Sequence, residues 1–305
     1  MNGYVSNLSQ IALCRRVTCS DGRESGVKLI ELDNGILSCE LLESNALDIG
    51  RLCYRGRNVA FISRNGYDNF ARGFERRFCG GMLYTCGPES IGAREGFEMH
   101  GSLHGTPAVV VAAGADLQGN ICVTGYTDYT GFFGNHLRLT RTVNLKSGAG
   151  CLEISDCLEN LGFTQEDYCL LYHVNFGYPF LDGNSYVELD AHSTEPRDKF
   201  AAQYMRTCES MLPPEAGRAE AVYFRKLNAP RAAVVSPVSG LRAELTYSGD
   251  TLPCLTQWNC MRSGAYALGL EPCTCFLDDK FSYSRIAAGQ KIFNTLKLNF
   301  TELQR

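Results

Sequence analysis

Residues 27–42 read Val27-Lys28-Leu29-Ile30-Glu31-Leu32, then Asp33-Asn34-Gly35, then Ile36-Leu37-Ser38-Cys39-Glu40-Leu41-Leu42. The two outer runs are rich in aliphatic residues, and the Asp-Asn-Gly between them is a turn signal typical of hairpins. The pattern predicts two antiparallel strands joined by a tight turn.

Short runs of the same kind continue from this hairpin almost to the C-terminus, separated by turn residues. The predicted strands cover residues 108–113, 121–126, 136–145, 151–158, 167–175, 186–189, 221–225, 232–236, 241–247, 266–271 and 291–300. Few windows have helical periodicity, although residues 8–15 allow a short helix. This spacing indicates an all-β fold of many antiparallel strands with few short helices.

The length of 305 residues allows one or two domains. No break in composition, linker or fixed-period repeat divides the chain. We therefore predict a single domain over residues 1–305, with residues 1–26 as a mixed, polar N-terminal arm. Two stacked sheets are the simplest arrangement, because they bury both inner faces without a layer of helices.

The net charge of −4 and the pI near 5.8 lack the basic excess that nucleic-acid binding requires. No signal peptide is recognisable, and no run approaches the roughly 18 apolar residues of a membrane span. The fifteen cysteines are scattered without a zinc-ribbon or disulfide spacing. We expect reduced, mostly buried thiols in a cytoplasmic protein without nucleic-acid or membrane partners, either a monomer or a homodimer.

One acidic residue ends an apolar run in an unusual way. The predicted strand at 266–271 delivers Glu271 and is followed by Pro272. A carboxylate leaves water at a cost of several kcal/mol unless it is paired or protonated. Glu271 is therefore either an exposed residue at the end of a strand or a functional residue.

The histidines give Glu271 two candidate partners. His104 lies in a glycine-flanked loop, and His173 lies in an apolar strand where it is either a core residue or a functional one. His100 and His136 read as surface residues of a loop and a strand in preference to functional residues, and His192 reads as a solvated residue.

The chain lacks the usual signatures of metal, nucleophile and phosphate sites. It has no HxH or HExxH spacing, no GxSxG elbow and no P-loop. A set of two histidines and one glutamate without metal or cofactor suits proton transfer, in which a carboxylate takes a hydroxyl proton and an imidazolium gives one to another oxygen.

Five short sequence motifs together indicate a resemblance to a known family. They are Leu47-Asp48-Ile49-Gly50 with Tyr54-Arg55-Gly56, Phe78-Cys79-Gly80-Gly81-Met82-Leu83-Tyr84-Thr85-Cys86-Gly87, Leu103-His104-Gly105, Tyr172-His173-Val174-Asn175-Phe176-Gly177-Tyr178-Pro179, and Gln257-Trp258 with Leu268-Gly269-Leu270-Glu271-Pro272. With these motifs in this order, the chain resembles the galactose-mutarotase-like superfamily from about Val27 to Phe300. The likeness is greatest to its aldose-1-epimerase-related DUF4432 branch, and it implies a β-supersandwich fold.

The resemblance also implies roles for three residues. His173 matches the histidine that protonates the ring oxygen of a sugar, and Glu271 matches the glutamate that takes the proton of the C1 hydroxyl. His104 matches a second histidine that binds a sugar hydroxyl. Ring opening, rotation about C1–C2 and closure then exchange the anomers without a metal or cofactor.

Further residues are candidates for holding the sugar. The Asn-Arg pair of true mutarotases is missing, and Arg72, Arg76 and Arg77 lie in the comparable region without showing which of them serves. The remaining candidates and their alternatives are Trp258 as a stacking face or a core residue, Gln257 and Asn175 as hydroxyl ligands or turn amides, and Asp48 as a motif residue or a buried cap.

Three functions follow from these residues. The first is an aldose 1-epimerase-like enzyme that acts on a free aldose or an acid sugar. The second is an epimerase on the same fold for a sugar phosphate, suggested by the three arginines. The third is a carbohydrate-binding or sensing protein without catalysis.

Overall fold

A computed structural model describes residues 3–304. Its strands are β1 (Leu13–Thr18), β2 (Lys28–Asp33), β3 (Leu37–Leu42), β4 (Asp48–Tyr54), β5 (Arg57–Asn58), β6 (Leu83–Cys86), β7 (Val109–Ala115), β8 (Ile121–Thr130), β9 (His136–Leu145), β10 (Cys151–Asn160), β11 (Glu166–Tyr168), β12 (Leu171–Gly177), β13 (Tyr186–Pro196), β14 (Ala221–Ser236), β15 (Leu241–Tyr247), β16 (Cys254–Arg262), β17 (Ala265–Cys273), β18 (Ser284–Ile286) and β19 (Lys291–Glu302). The helices are α1 (Phe74–Arg77) and α2 (Lys199–Gln203), with single 3-10 turns at Leu8–Gln10, Gly22–Glu24, Leu103–Gly105 and Met205–Thr207. The all-β prediction with few short helices is confirmed.

The strands form three antiparallel sheets. A five-stranded sheet has the order β1-β2-β3-β4-β5, and β11 pairs with β18. A twelve-stranded sheet has the order β6-β12-β17-β16-β14-β15-β19-β10-β9-β8-β7, with β13 paired to β14 outside this path. Side chains from the five-stranded and twelve-stranded sheets meet in one large apolar core, which includes Ile30, Leu52, Val143 and Leu270.

The hairpin at residues 27–42 forms as predicted, except that the first strand is displaced by one residue and the second begins one residue later. Asp33 of β2 pairs with Ser38 of β3, and Gly35 adopts a φ of +89° in the turn. Asn34 is buried, where its side-chain oxygen accepts a hydrogen bond from the N–H of Leu37 at 2.7 Å. A turn asparagine thereby replaces the backbone partner that the chain reversal removes.

The strands that surround the candidate site are buried on both faces. All seven residues of β12 are buried, and so are seven of the nine in β17. Because side chains alternate between the faces of a strand, Val174 and Leu270 enter the core while their neighbours His173 and Glu271 point to the other side.

Three sequence predictions differ from the structure. The helix allowed at residues 8–15 is wrong, since only Leu8–Gln10 forms a 3-10 turn and β1 pairs with β2 at the edge of a sheet. The predicted strand at 167–175 divides into β11 and β12, and the two at 221–236 join into β14. β14 is continuous because its first part pairs with β16 and its second part with β15. The single domain stays a prediction.

All fifteen cysteines are free thiols, and ten of them are buried, as predicted. Among residues 3–304, no helix is both long and apolar enough to cross a membrane. The cytoplasmic location stays a prediction.

Candidate active site

One row of side chains crosses five neighbouring strands of the large sheet. Tyr84 of β6 pairs with His173 of β12, Glu271 of β17 pairs with Thr256 of β16, and Thr256 pairs with Phe224 of β14. Residues paired across antiparallel strands project to the same face. The row therefore gathers residues separated by almost 190 positions in sequence.

His173 and Glu271 form the centre of this row. Nε2 of His173 lies 3.2 Å from Oε1 of Glu271, and the two side chains are 7% and 5% exposed. The approach is not aligned as a hydrogen bond, since Oε1 of Glu271 lacks a hydrogen-bond partner among the described residues. Unpaired buried polar atoms are costly and are commonly retained for a function.

Burial sets the protonation of the pair. The pKa of Glu271 is raised well above its usual value, chiefly because burial disfavours the carboxylate and secondly because of the charge of Glu220. Burial lowers the pKa of His173 to about 3, helped by His100. Both effects favour the neutral forms, a protonated Glu271 and an unprotonated His173.

Gly269 leaves the space in which the pair sits. It precedes Glu271 by two residues on the same face of β17 and pairs with Trp258. A Cβ at this position would lie 2.4 Å from Oε1 of Glu271 and 3.2 Å from Cε1 of His173. Glycine is therefore required here because of the close approach of the two functional side chains.

A cavity of about 490 Å³ lies over the pair. Its floor is the face of β12, β14, β16 and β17, and loops supply the walls. The apolar lining comprises Phe61, Phe74, Phe78, Ile91, Met99, Leu171, Val222, Phe224, Trp258 and Leu277. The polar lining includes Arg64, Asn65, His100, His173, Arg197, Glu220, Thr256 and Glu271.

Trp258 lines this cavity, as the stacking interpretation requires. Its ring lies 5.3 Å from that of His173 between centroids, and its Nε1 donates to Glu220 at 2.8 Å. Glu220 also accepts from Arg197 at 3.0 Å. These contacts fix the plane of the indole beside the pair.

His100 also lines the cavity, contrary to its expected place on the surface. Its ring lies 5.7 Å from that of His173 and 4.8 Å from that of Phe74. Its Nδ1 lies 3.1 Å from the carbonyl oxygen of Ile91, and burial lowers its pKa to about 4. A carbonyl oxygen only accepts, so this contact favours the tautomer with the proton on Nδ1 and leaves Nε2 as an acceptor. The sulfur of Cys86 lies farther from Nδ1, at 3.4 Å.

His104 is not brought to the pair. It is 1% exposed and stacks on Tyr84 with ring centroids 4.3 Å apart. Burial and, secondly, Arg77 lower its pKa to about 3, and both ring nitrogens lack partners within residues 3–304. Its role in binding a hydroxyl stays a prediction.

The three arginines chosen from the sequence lie away from the described cavity lining. Arg72 donates to the backbone carbonyls of Phe70 and Ala71, Arg77 donates to that of Gly105, and Arg76 is exposed. The cavity is instead lined by Arg64 and Arg197.

Asp48 belongs to a buried ionic network, which fits its alternative interpretation as a structural residue. It accepts from Arg141 at 2.7 Å and from the backbone N–H of Thr85 at 2.9 Å. Arg141 also donates to Asp156 at 2.7 Å. Both carboxylates compensate a guanidinium that is 1% exposed.

Asn175 and Gln257 are fully buried and do not line the cavity. Asn175 donates to the carbonyls of Gly81 and His173 at 3.1 Å. Gln257 donates to the carbonyl of Cys208 at 2.6 Å. Both amides support backbone in this structure, and their contact with a sugar stays a prediction.

The residues missed from sequence are His100, Arg64, Arg197, Glu220 and Thr256. For His100 a signal existed, because it lies in the same glycine-rich loop as His104. The other four carry no local signal. No group of three or more potential metal-ligating side chains occurs in the described part of the chain.

The sequence was compared with protein families and with curated proteins. The sequence profile of DUF4432, a domain of unknown function, matches residues 24–290. The search of curated proteins finds no significant match.

Three solved structures illustrate the similarity of fold. A putative aldose 1-epimerase from Klebsiella pneumoniae has a TM-score of 0.84 at 19% identity, covering 94% of this chain and 83% of its own. A galactose mutarotase-like protein from Clostridium acetobutylicum has a TM-score of 0.73 at 15% identity, covering 96% and 100%. Galactose 1-epimerase from Lactobacillus acidophilus has a TM-score of 0.69 at 13% identity, covering 95% and 99%. At these identities the likeness is one of fold.

Proposed function

The chain belongs to the DUF4432 family, and we propose that it is a carbohydrate-active isomerase of the aldose 1-epimerase type, which interconverts sugar anomers. One observation carries the proposal: a buried carboxyl with an unpartnered oxygen and a buried imidazole lie 3.2 Å apart beneath a cavity of about 490 Å³. The similar folds of proteins named as epimerases and mutarotases support it.

The reaction needs one base and one acid. The base takes the proton of the C1 hydroxyl, the C1–O5 bond breaks, and O5 receives the electron pair and a proton from the acid. Rotation about C1–C2 turns the other face of the aldehyde towards O5. Closure reverses the proton transfers, so each group acts once as acid and once as base.

The Glu271–His173 pair meets this requirement with a single shared proton. The raised pKa of Glu271 and the lowered pKa of His173 favour the placement of that proton on Glu271. For His173 to protonate O5 while Glu271 acts as base, the proton first crosses the 3.2 Å gap between them. The alternative order, in which Glu271 protonates O5 and His173 accepts from the C1 hydroxyl, needs no prior transfer.

Two neighbours would orient the sugar. Trp258 offers an apolar face to the C–H side of a pyranose. His100 offers Nε2 as an acceptor, because the carbonyl of Ile91 favours the tautomer with the proton on Nδ1. Its low pKa, about 4, keeps His100 neutral throughout the physiological range.

The test removes each member of the pair in turn. Glu271→Gln and His173→Asn are each expected to lower the rate of anomer exchange by roughly 10²–10⁴-fold, the usual contribution of a proton-transfer group. Exchange is measured by saturation-transfer NMR over a panel of hexoses, pentoses and uronic acids. Circular dichroism verifies the fold. The exposed His192 and Glu302 supply matched controls, His192→Asn and Glu302→Gln, which should exchange at the wild-type rate.

Full activity of both pair variants on the true substrate would refute the enzymatic assignment. Tight sugar binding by wild type and Glu271→Gln alike, without any exchange, would instead identify a carbohydrate-binding or sensing protein.

The sugar-phosphate alternative now depends on Arg64. Its guanidinium lines the cavity, makes a contact of 3.4 Å with the carbonyl of Gly264, and has no carboxylate partner in the described structure. Weaker binding of a phosphorylated sugar by Arg64→Ala, with unchanged binding of the free sugar, would favour this alternative.

A further inference from the structure

The polar side chains around the Glu271–His173 pair are few and lie together. His173, Glu271, Thr256 and His100 occupy the floor of the cavity and the adjoining wall. Oε1 of Glu271 is itself buried and has no hydrogen-bond partner within residues 3–304. Together these groups suffice for the anomeric hydroxyl, the ring oxygen and one further hydroxyl.

Several other polar side chains of the lining already have protein partners, whereas the exposed Arg64 has only a 3.4 Å contact with the carbonyl of Gly264. The hydroxyl of Ser63 donates to the carbonyl of Phe78, and the amide of Asn65 donates to the carbonyls of Glu75 and Phe78. Glu220 is shared between Trp258 and Arg197. A ligand hydroxyl in these places would compete with bonds that the protein already makes.

The rest of the enclosure is apolar. The rings of Phe78 and Trp258 lie 6.0 and 5.3 Å from that of His173, and Phe61 lies 6.3 Å from Trp258. Met99 and Leu277 add aliphatic surface. The pair thus faces an aromatic and aliphatic wall, and the amide of Asn65 and the carboxylate of Glu220, which also line the cavity, are engaged by protein partners.

The energetics follow from this distribution. A hydroxyl buried without a partner lowers affinity by roughly tenfold or more. A methylene group in the same place raises affinity by roughly fourfold, because it leaves water for an apolar surface. The cavity volume of about 490 Å³ lies within the roughly 300–1,000 Å³ typical of drug-sized ligands, so a substituent beyond one sugar ring has room.

We propose that the ligand of this cavity is a reducing sugar in which an apolar substituent replaces or covers one or more hydroxyl groups, as in a deoxy or an O-acylated sugar. The inference rests on the proposed function for the reducing end, and on the apolar wall for the substituent.

The only tryptophan of the chain lines the cavity, so its fluorescence reports binding independently of turnover. Glucose would be titrated against 2-deoxyglucose, 6-deoxyglucose and 6-O-butanoylglucose, and galactose against 6-deoxygalactose, with glucuronate as a charged competitor. Anomer exchange of each sugar is followed by NMR. We expect at least one apolar analogue to have a Kd at least tenfold below that of its parent and a higher kcat/KM.

A matched pair of variants tests the wall itself. Leu277→Asn should weaken the preference for the apolar analogue at least threefold. Leu117→Asn alters an exposed leucine outside the cavity lining, and it should leave the preference unchanged.

The outcomes separate the two proposals. Tight binding of an apolar analogue without exchange would refute the enzymatic function and support the ligand class. Exchange with the parent sugar or glucuronate preferred would overturn the ligand class and leave the enzymatic function standing. Failure of every analogue to bind more tightly than its parent would overturn the ligand class.

Discussion

Replacing Gly269 by alanine should disable the Glu271–His173 pair without removing either group. The added Cβ would lie 2.4 Å from Oε1 of Glu271, 3.1 Å from Cβ of Trp258 and 3.2 Å from Cε1 of His173. Ordinary contact begins at 3.4 Å, so the carboxyl must move by about 1 Å while Trp258 and His173 restrict its retreat.

A displacement of this size has a known scale of effect. A misplacement of about 1 Å in a catalytic group can lower the rate by roughly 10²-fold. Overpacking of this kind costs about 1–3 kcal/mol in the free energy of unfolding. We therefore expect Gly269→Ala to fold, to unfold at a lower urea concentration, and to exchange anomers about 10²-fold more slowly by saturation-transfer NMR.

Gly114 provides the control, because it also lies in a strand and a Cβ there would meet nothing within 4 Å. Gly114→Ala should exchange at the wild-type rate. If folded Gly269→Ala also exchanged anomers at the wild-type rate, the close packing of Glu271 against Gly269 would have no part in catalysis, and the reasoning would be refuted.

Three further outcomes are expected. The value of kcat/KM should fall as the pH drops through about 3, where His173 gains a second proton for the pair. It should also fall as the pH rises past the raised pKa of Glu271, where the pair loses its proton. An alkaline limb near the ordinary glutamate pKa of about 4.3 would contradict this prediction. The buried His104 has a pKa lowered to about 3, against about 6.5 in the unfolded chain. Its contribution to the free energy of unfolding is therefore lost as the pH falls below about 6.5, and the loss is about 2 kcal/mol at pH 5. Urea unfolding at pH 7 and pH 5 measures this loss. His104→Phe should reduce the difference in the free energy of unfolding between the two pH values by the same amount, and an unchanged difference would contradict the prediction. Asp48→Asn should lower the free energy of unfolding by about 3–5 kcal/mol, because it leaves the buried Arg141 with one carboxylate fewer. A loss below about 1 kcal/mol in urea unfolding would show that Asp156 alone compensates the guanidinium.

The strands and the class of the fold could be predicted from local patterns. The predicted bounds of β9 and β15 agree with the structure at both ends, because alternate residues of these strands are buried and the alternation is written into the sequence itself. The bounds of a strand were predicted less well where they depend on pairing with strands elsewhere in the chain. Whether residues 221–236 form one strand or two depends on β15 and β16, and both lie later in the chain.

For the candidate site, the sequence by itself determined which residue types were available, and it singled out His173, Glu271 and Trp258, which the structure gathers at one cavity. Only the tertiary structure decided that His100 lines this cavity while His104, four residues later, stacks on Tyr84. The physical reason is the range of the interactions. Burial of alternate residues repeats every second position and can be recognised within a short window of sequence. The side chains that meet over Glu271 are determined instead by strand register and by the paths of loops across the whole chain.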